Sequence, residues 1–253
     1  MRARRGLPDG GHFEAAIERC EFENHMIPWL HLDTVTVPGG KNALKLMQRG
    51  GEFSIMAGGR TLMNSRASGS EIAVATVVCT RLKGRPNCSL LIGGYGMGFT
   101  LRAALGELAG DANVLVAELV PAVMAWARGP MAGLTAGCLV DPRVVIHDGN
   151  VGNVIAARPG RFDAIILDVD NGPDGFTRDA NHMLYGVPGL VAARRALKPK
   201  GMLAVWSAAP DDEFANRLGS VGFAVERVKV RANKEKGGWH TIWIATKTQS
   251  ANV

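Results

Sequence analysis

The sequence SLLIGGYGMGFTLRAAL, at residues 89–105, decides the fold of this chain. A short apolar run at 89–92 leads into three alternate glycines, Gly94, Gly96 and Gly98, and an amphipathic helical pattern follows. This order of strand, glycine loop and helix is typical of nucleotide-binding α/β sheets, because glycines allow a sharp turn and a close approach of ligand to main chain. A dinucleotide fingerprint would have its third glycine where this chain has Phe99. The G-x-G-x-G spacing instead favours a site for S-adenosylmethionine (SAM).

Beyond this loop, apolar strands alternate with helical segments. Strand cores are predicted at 89–92, 114–117, 144–146, 164–167 and 202–206, with helices at 100–109, 121–127, 151–157 and 189–197. Two further strands are predicted at 224–230 and 240–246. Continuous apolar runs are typical of strands buried on both faces, and the alternation implies right-handed crossovers. We therefore predict an α/β fold with a Rossmann-like, doubly wound sheet that is mostly parallel, with an antiparallel C-terminal strand.

The segment before residue 69 has a different pattern of apolar and polar residues. Glycine pairs separate four short alternating runs, at 31–37, 42–48, 52–56 and 60–64, and a helix is predicted at 69–82. Such runs predict antiparallel strands joined by tight turns. The predicted organisation is a loose leader at 1–25, a small β-domain at 26–68, and a Rossmann-like catalytic domain at 69–253.

Composition excludes several classes of protein. The chain has 253 residues, 47% of them hydrophobic, and no apolar run reaches the about 20 residues of a membrane helix. The four cysteines and six histidines lack ligand spacing, which predicts reduced thiols, no metal and a cytoplasmic protein. The net charge of +6 comes from dispersed basic residues, and aromatics make up 6%, so a nucleic-acid partner is disfavoured.

Three consecutive strands after the glycine loop end in acidic residues: Glu118, Asp148 and Asp168. Ligands of such sheets bind beyond the carboxyl ends of the strands. A carboxylate at Glu118 can accept both ribose hydroxyls, and one at Asp148 can accept an adenine amino group, with Gly149 leaving room for the ring. The predicted cofactor-binding residues are Gly94, Tyr95, Gly96, Gly98, Glu118, Leu119, Asp148 and Gly149.

Asp168 is the candidate base, or orienting group, for an acceptor nucleophile. Asp170 and Asn171 follow it and are the other predicted catalytic residues. If Asp168 and Asp170 lie close together, their repulsion raises the pKa of one of them towards neutrality. Trp206 and Trp243 fall in strand patterns and are expected to be core or sheet-face residues.

Five segments resemble successive motifs of the spermidine synthase family: IGGYGMGFTLR, VAELVP, DPRVVIHDGN, FDAIILDVDNGPDG and ALKPKGMLAVWSAAP. These polyamine aminopropyltransferases share the class I SAM-dependent methyltransferase fold, and the likeness runs from about residue 29 to 246. The resemblance implies that Glu118 holds the ribose, that Asp148 and Gly149 hold the adenine, and that Asp168 is the general base for an acceptor amine. It also favours a homodimer.

The glycine loop departs from the family pattern. It reads GGYGMG, with Gly96 where the family has an aspartate that binds the aminopropyl amine of decarboxylated SAM. The family's second acceptor-site acid is shifted or replaced by Asn171, and the tyrosine near the start of its first helix is missing from NSRASGSE at 64–71. A polyamine needs carboxylates to hold its charges. The departures therefore favour SAM itself, whose carboxylate the missing aspartate would repel.

The main prediction is a spermidine synthase-like transferase that moves a methyl or other alkyl group from SAM, or a close analogue, to a small nucleophilic acceptor. In such an in-line displacement at a sulfonium carbon, the protein positions the nucleophile and removes its proton. The first alternative is a true aminopropyltransferase that uses decarboxylated SAM and a polyamine. The second is a non-catalytic SAM-binding module, and an NAD-dependent oxidoreductase is disfavoured by Phe99.

Overall fold

The computed structural model describes residues 27–39, 43–169, 183–233 and 238–248, and within these ranges the chain forms two sheets. One is a four-stranded antiparallel sheet and the other a seven-stranded, mostly parallel sheet. The predicted leader at 1–25 and the candidates Asp170 and Asn171 lie outside the described residues. The division into domains at residue 69 stays a prediction.

The small sheet has the strand order β1-β2-β3-β4, and each neighbouring pair is antiparallel. Its strands are β1 (Leu30–Thr36), β2 (Ala43–Arg49), β3 (Glu52–Ala57) and β4 (Arg60–Asn64). Leu46 and Ile55, from the two central strands, are fully buried. They belong to the same apolar cluster as Leu90 and Ile92 of the large sheet, so one hydrophobic core joins the two sheets.

The large sheet has the strand order β10-β11-β9-β8-β5-β6-β7. Its strands are β5 (Ser89–Gly93), β6 (Asn113–Glu118), β7 (Val144–Asp148), β8 (Phe162–Leu167), β9 (Leu197–Ser207), β10 (Phe223–Arg231) and β11 (Trp239–Lys247). All neighbouring pairs from β9 to β7 are parallel, whereas β11 is antiparallel to both β9 and β10. The prediction of a mostly parallel sheet with an antiparallel C-terminal strand is confirmed.

Helices cover both faces of the large sheet, as the doubly wound prediction requires. They are α1 (Gly69–Leu82), α2 (Phe99–Glu107), α3 (Pro121–Arg128), α4 (Ala132–Thr135), α5 (Val151–Ala156), α6 (Val187–Ala196) and α7 (Asp212–Ser220). Leu90 and Ile92 of β5 belong to the core on the face covered by α1, α2 and α3. Leu91 belongs to the core on the opposite face, with α5, α6 and α7. Alternate side chains of a strand point to opposite faces, so one strand serves both cores. No helix in the described part of the chain is long and apolar enough to cross a membrane.

The end of the sheet opposite the glycine loop is fixed by Asp163 on β8. Its carboxylate accepts a hydrogen bond of 2.8 Å from the Ser89 backbone N–H and forms ion pairs with Lys198, at 2.5 Å, and Arg85, at 3.4 Å. Burial opposes ionisation of Asp163, but the bonds from Lys198 and Ser89 prevail and hold its pKa below the usual value. This cluster joins the starts of β5, β8 and β9, far from the loop at their other ends.

Candidate functional site

The carboxyl ends of β5 to β8 meet the inner face of the small sheet around a cavity, here called the main cavity. The large sheet contributes the glycine loop and the residues that follow β6, β7 and β8, and the small sheet covers them with apolar side chains. The lining residues are Val37, Leu44, Ile55, Leu62, Met63, Gly94, Gly96, Ala117, Glu118, Leu119, Val120, Val123, Gly149, Asn150, Val151, Asp168, Val169 and Leu184. The cavity thus lies where ligands of open α/β sheets bind.

The glycine loop has a backbone that side chains would disturb. Gly94, Gly96 and Gly98 have φ values of +85°, +56° and +79°, all in the left-handed region. A Cβ atom on Gly94 would lie 2.5 Å from the Asp168 carbonyl oxygen, and one on Gly98 would lie 2.7 Å from the Tyr95 hydroxyl. The turn between β5 and α2 therefore needs glycine at both positions, and it brings Asp168 against the loop.

Gly96 faces a different neighbour. A Cβ atom at this position would lie 3.1 Å from the Met63 sulfur, which belongs to β4 of the small sheet. Met63 therefore covers the place at which the spermidine synthase resemblance implies an aspartate. The wall of the main cavity at the glycine loop consequently carries a thioether instead of a carboxylate.

Glu118, at the end of β6, has its carboxylate fixed by backbone groups. Its two oxygens accept hydrogen bonds of 2.8 Å from the N–H groups of Tyr95 and Val120. The residue is 7% exposed and lines the main cavity, and burial raises its pKa although these backbone bonds oppose the rise. The backbone N–H groups of Gly96 and Leu119 also interact with this carboxylate, so a ligand hydroxyl would compete with them for its lone pairs.

The other predicted nucleotide-binding residues occupy different places. Leu119 and Gly149 line the main cavity, whereas Asp148 is exposed at the end of the edge strand β7. At this strand end the cavity wall also includes Asn150, whose side chain accepts a bond of 2.7 Å from Gly152 N–H and caps α5. Asn150 was not among the predicted site residues, although an asparagine before a helical pattern is a capping signal. Tyr95 is 4% exposed and lies in the wall of a second, smaller cavity.

This second cavity, here called the side cavity, lies between β4, the starts of α1 and α2, and the ends of β8 and β9. It is lined by Leu62, Met63, Asn64, Glu71, Tyr95, Gly96, Met97, Phe99, Thr100, Asp168 and Trp206. Four of these residues also line the main cavity: Leu62, Met63, Gly96 and Asp168. Asp168 therefore lies at the boundary of the two cavities, where groups bound in each would meet. Trp206 is buried, as expected, but it also belongs to this wall.

The side cavity contains a second carboxylate, Glu71, which was not among the predicted site residues. The Thr100 hydroxyl donates a bond of 2.7 Å to Asp168, and the Ser70 hydroxyl donates a bond of 2.7 Å to Glu71. Burial raises the pKa of Asp168, and burial together with the charge of Asp168 raises the pKa of Glu71 to about 7. A glutamate in the first turn of a helix is common for dipole reasons, so Glu71 carried no specific signal in the sequence.

Within the described ranges, no three His, Cys, Asp or Glu side chains lie close enough together to hold a metal ion. Cys79, Cys88 and Cys138 are buried free thiols. Burial raises the pKa of the Cys79 and Cys88 thiols, to about 12 and about 11, so both are protonated at neutral pH.

Comparison with known proteins confirms the resemblance to spermidine synthases. No family model matches the chain. The polyamine aminopropyltransferase of Mycobacterium tuberculosis is 34% identical to it over 146 residues, which make up 54% of this chain and 27% of that protein. The match thus spans about a quarter of the length of the curated relative.

Solved structures support the fold. The spermidine synthase of Thermotoga maritima gives a TM-score of 0.67 at 18% identity, covering 87% of this chain and 74% of that one. A spermidine synthase in complex with the transition state analogue AdoDATO gives 0.66 at 19% identity, covering 87% and 73%. The chain therefore has a spermidine synthase-like fold and a polyamine aminopropyltransferase as a relative.

Proposed function

We propose that this chain is a spermidine synthase-like transferase that moves an aminopropyl group from decarboxylated SAM to a small amine, with a polyamine as the substrate class. One observation carries the proposal: Asp168 lies at the boundary between a cavity with Glu118 and a cavity with Glu71. This function was the alternative to methyl transfer in the sequence analysis. The name of the curated relative and the carboxylates of the side cavity favour it, because a cationic amine requires anionic partners.

The main cavity suits the nucleoside part of the donor. Glu118 would accept the ribose hydroxyls, and the apolar residues Leu119, Val120 and Val151 would contact the adenine ring. Gly149 leaves space beside the ring, as its position after β7 predicts. The backbone bonds that hold the Glu118 carboxylate preorganise it, so binding would not require this side chain to change its rotamer.

The side cavity suits the acceptor amine. The sulfonium group of the donor makes the adjacent carbon electrophilic and leaves as a neutral thioether. The amine nitrogen forms a bond to this carbon, the C–S bond breaks with its electron pair remaining on sulfur, and the amine proton passes to Asp168. Thr100 orients Asp168 through its 2.7 Å bond. The raised pKa of Asp168 makes it a stronger base than an exposed aspartate, which assists removal of the proton.

Methyl transfer from SAM is the second candidate, and Gly96 favours it. The Met63 sulfur would lie 3.1 Å from a Cβ at this position, so the described loop places no carboxylate where the donor amine would be held. A carboxylate there would repel the carboxylate of SAM, and its replacement by an apolar contact removes this repulsion.

Calorimetry with each nucleotide, followed by product analysis, distinguishes the candidates. We expect decarboxylated SAM to bind at least about tenfold more tightly than SAM and to yield methylthioadenosine and an aminopropylated amine. Preferred binding of SAM, with S-adenosylhomocysteine as product, would support methyl transfer instead. Asp168→Asn is expected to retain nucleotide binding and to lose about 10²- to 10⁴-fold in turnover. Binding without product from any amine, hydroxyl or carboxyl acceptor would indicate a non-catalytic module.

The oligomeric state and the domain boundary also belong to this proposal. Light scattering of the purified protein tests the homodimer that the family resemblance favours. Limited proteolysis tests the domain boundary near residue 69, because cleavage concentrates in exposed segments between independently packed units.

A further inference from the structure

We propose that Glu71 and Asp168 act as one proton-sharing pair in the side cavity, and that Ser70 and His240 connect this pair to the surface. The inference rests on the proposed function, because an acceptor amine would lose its proton in this cavity. It adds a proton-sharing partner for Asp168 and a route by which the proton leaves. The substrate class remains an amine that is protonated when it arrives.

The part of the route from Glu71 to His240 is a continuous set of hydrogen bonds, whereas Asp168 and Glu71 line the same cavity and interact through their charges. The Ser70 hydroxyl lies 2.7 Å from Glu71 Oε2 and 3.0 Å from His240 Nδ1. Ser70 is 1% exposed, whereas His240 is half-buried on β11. A hydroxyl can donate one bond while it accepts another, so Ser70 can pass a proton between the carboxyl group and the imidazole.

The proton route lies against the wall of the side cavity. Trp206 lines it and is 9% exposed, and its indole N–H finds no hydrogen-bond acceptor in the described part of the chain. The ring of His240 packs edge-on against Trp206, with a centroid distance of 4.8 Å, which places the route beside the same wall.

Electrostatics agree with this geometry. Four described groups surround Glu71 and interact with it or with Asp168. They are Asp168 after β8, His240 on β11, and the hydroxyls of Ser70 on α1 and Thr100 on α2. Burial, and next the charge of Asp168, raise the pKa of Glu71 to about 7, and burial lowers the pKa of His240. Near neutral pH the pair therefore exchanges one proton, and His240 is a neutral imidazole able to accept it.

The proton balance of a turnover follows. The ammonium proton moves to Asp168 first, which frees the nitrogen lone pair to attack the donor carbon, and the pair of Asp168 and Glu71 then holds this proton. Protonated Glu71 then gives its proton to the Ser70 oxygen while Ser70 gives its own hydroxyl proton to His240 Nδ1, and His240 releases a proton to solvent. The pair then returns to its fully ionised form for the next amine.

The pH dependence of kcat/KM tests the pair. In the wild type the acid limb should lie near pH 7, because both carboxylates must be ionised to receive the ammonium proton. Glu71→Gln is expected to move this limb at least about one pH unit lower and to reduce the plateau about 10- to 100-fold. Glu226→Gln, at an exposed ion pair with Arg81, is the matched control and should change neither. If Glu71→Gln lowered kcat/KM equally at every pH and left the midpoint of the acid limb unchanged, the proposal of a proton-sharing pair would be refuted.

His240 is tested by a separate variant. His240→Gln keeps a side chain able to bond to Ser70 but cannot carry a proton at neutral pH. We expect a lower kcat with an unchanged KM. An unchanged kcat would remove Ser70 and His240 from the proposal.

Infrared titration of the ligand-free protein tests the pair without any activity. The carboxylic acid C=O band of the wild type should disappear with a midpoint near pH 7, reflecting the pKa of Glu71. In Asp168→Asn the midpoint should fall because the neighbouring charge is gone, and Glu71→Gln should lose this band. A protein with this titration but no transferase activity would retain the pair and refute the proposed function. Transferase activity without the titration would refute the pair alone.

Discussion

Replacing Glu71 by glutamine should stabilise the protein, and the gain should depend on pH. The substitution preserves the shape of the side chain and an oxygen that can accept the 2.7 Å bond from Ser70. The pKa of Glu71 rises from 4.5 to about 7 on folding, first through burial and then through the charge of Asp168. The folded state therefore holds the proton more tightly than the unfolded chain does. This contribution to stability is fully present below pH 4.5 and is lost as the pH rises to about 7.

The size of the effect follows from the two pKa values. A difference between 4.5 and about 7 corresponds to a loss of about 3 kcal/mol in the free energy of unfolding of the wild type across this range. Glutamine does not titrate, so the variant escapes the loss. Relative to the wild type, Glu71→Gln should gain about 3 kcal/mol between pH 4.5 and pH 7, with little further change above pH 7.

Urea unfolding at pH 5, 6, 7 and 8 measures this gain. Glu226→Gln is the control, since its exposed pair with Arg81 should contribute less than about 1 kcal/mol at every pH. Parallel stability curves for the wild type and Glu71→Gln would show that folding does not shift the proton affinity of Glu71. If Glu71→Gln lost stability relative to the wild type as the pH rises, the predicted direction of the pKa shift of Glu71 would be wrong.

Three further predictions concern the loop and the far end of the sheet. Gly94→Ala should destabilise the protein by about 1 to 3 kcal/mol in urea unfolding, because φ is +85° and the Cβ would meet a backbone oxygen at 2.5 Å. The control is Gly106→Ala in helix α2, where the Cβ has open space. This control should stabilise the protein by about 0.5 to 1 kcal/mol. Gly96→Asp should raise the preference for decarboxylated SAM over SAM by about tenfold in calorimetry, since Met63 is flexible enough to move aside. Unaltered preference would refute the role given to this position. Asp163→Asn should cost about 1 to 2 kcal/mol of stability, because Lys198 and Arg85 are partly exposed, and should leave nucleotide affinity unchanged. A matching loss of affinity would contradict its placement away from the site.

Local patterns predicted the features that depend on neighbouring residues. The glycine loop, the strand ends at Glu118 and Asp168 and the antiparallel final strand all follow from short-range spacing and apolar runs. Their placement together is dictated by parallel topology, since the carboxyl ends of parallel strands meet at one edge. The strand β9 was predicted at 202–206 but extends over Leu197–Ser207, because Leu197 already pairs with Phe162 before the register shifts.

The acceptor side of the site could not be predicted in this way. Glu71 resembles an ordinary first-turn glutamate, and its significance depends on Asp168, which a different strand brings into the same cavity. The role of Met63 depends on how the small sheet packs over Gly96. Trp206 is a core residue by its pattern, and its exposure to the side cavity arises from the position of β9 beside β11. Such contacts carry no signal in local spacing.

The position of β11 has a consequence for how the protein is made. This strand follows β10 in the chain but lies between β9 and β10 in the sheet, and it brings His240 to Ser70 across a separation of 170 residues. Contacts so distant in sequence form late in folding, because a large loop must close first. The glycine loop and the ends of β6 and β8 come from one continuous stretch that leaves the ribosome earlier. A growing chain should thus acquire its nucleotide-facing edge before it completes the side cavity, and pulse-labelled hydrogen exchange would show β11 gaining protection last.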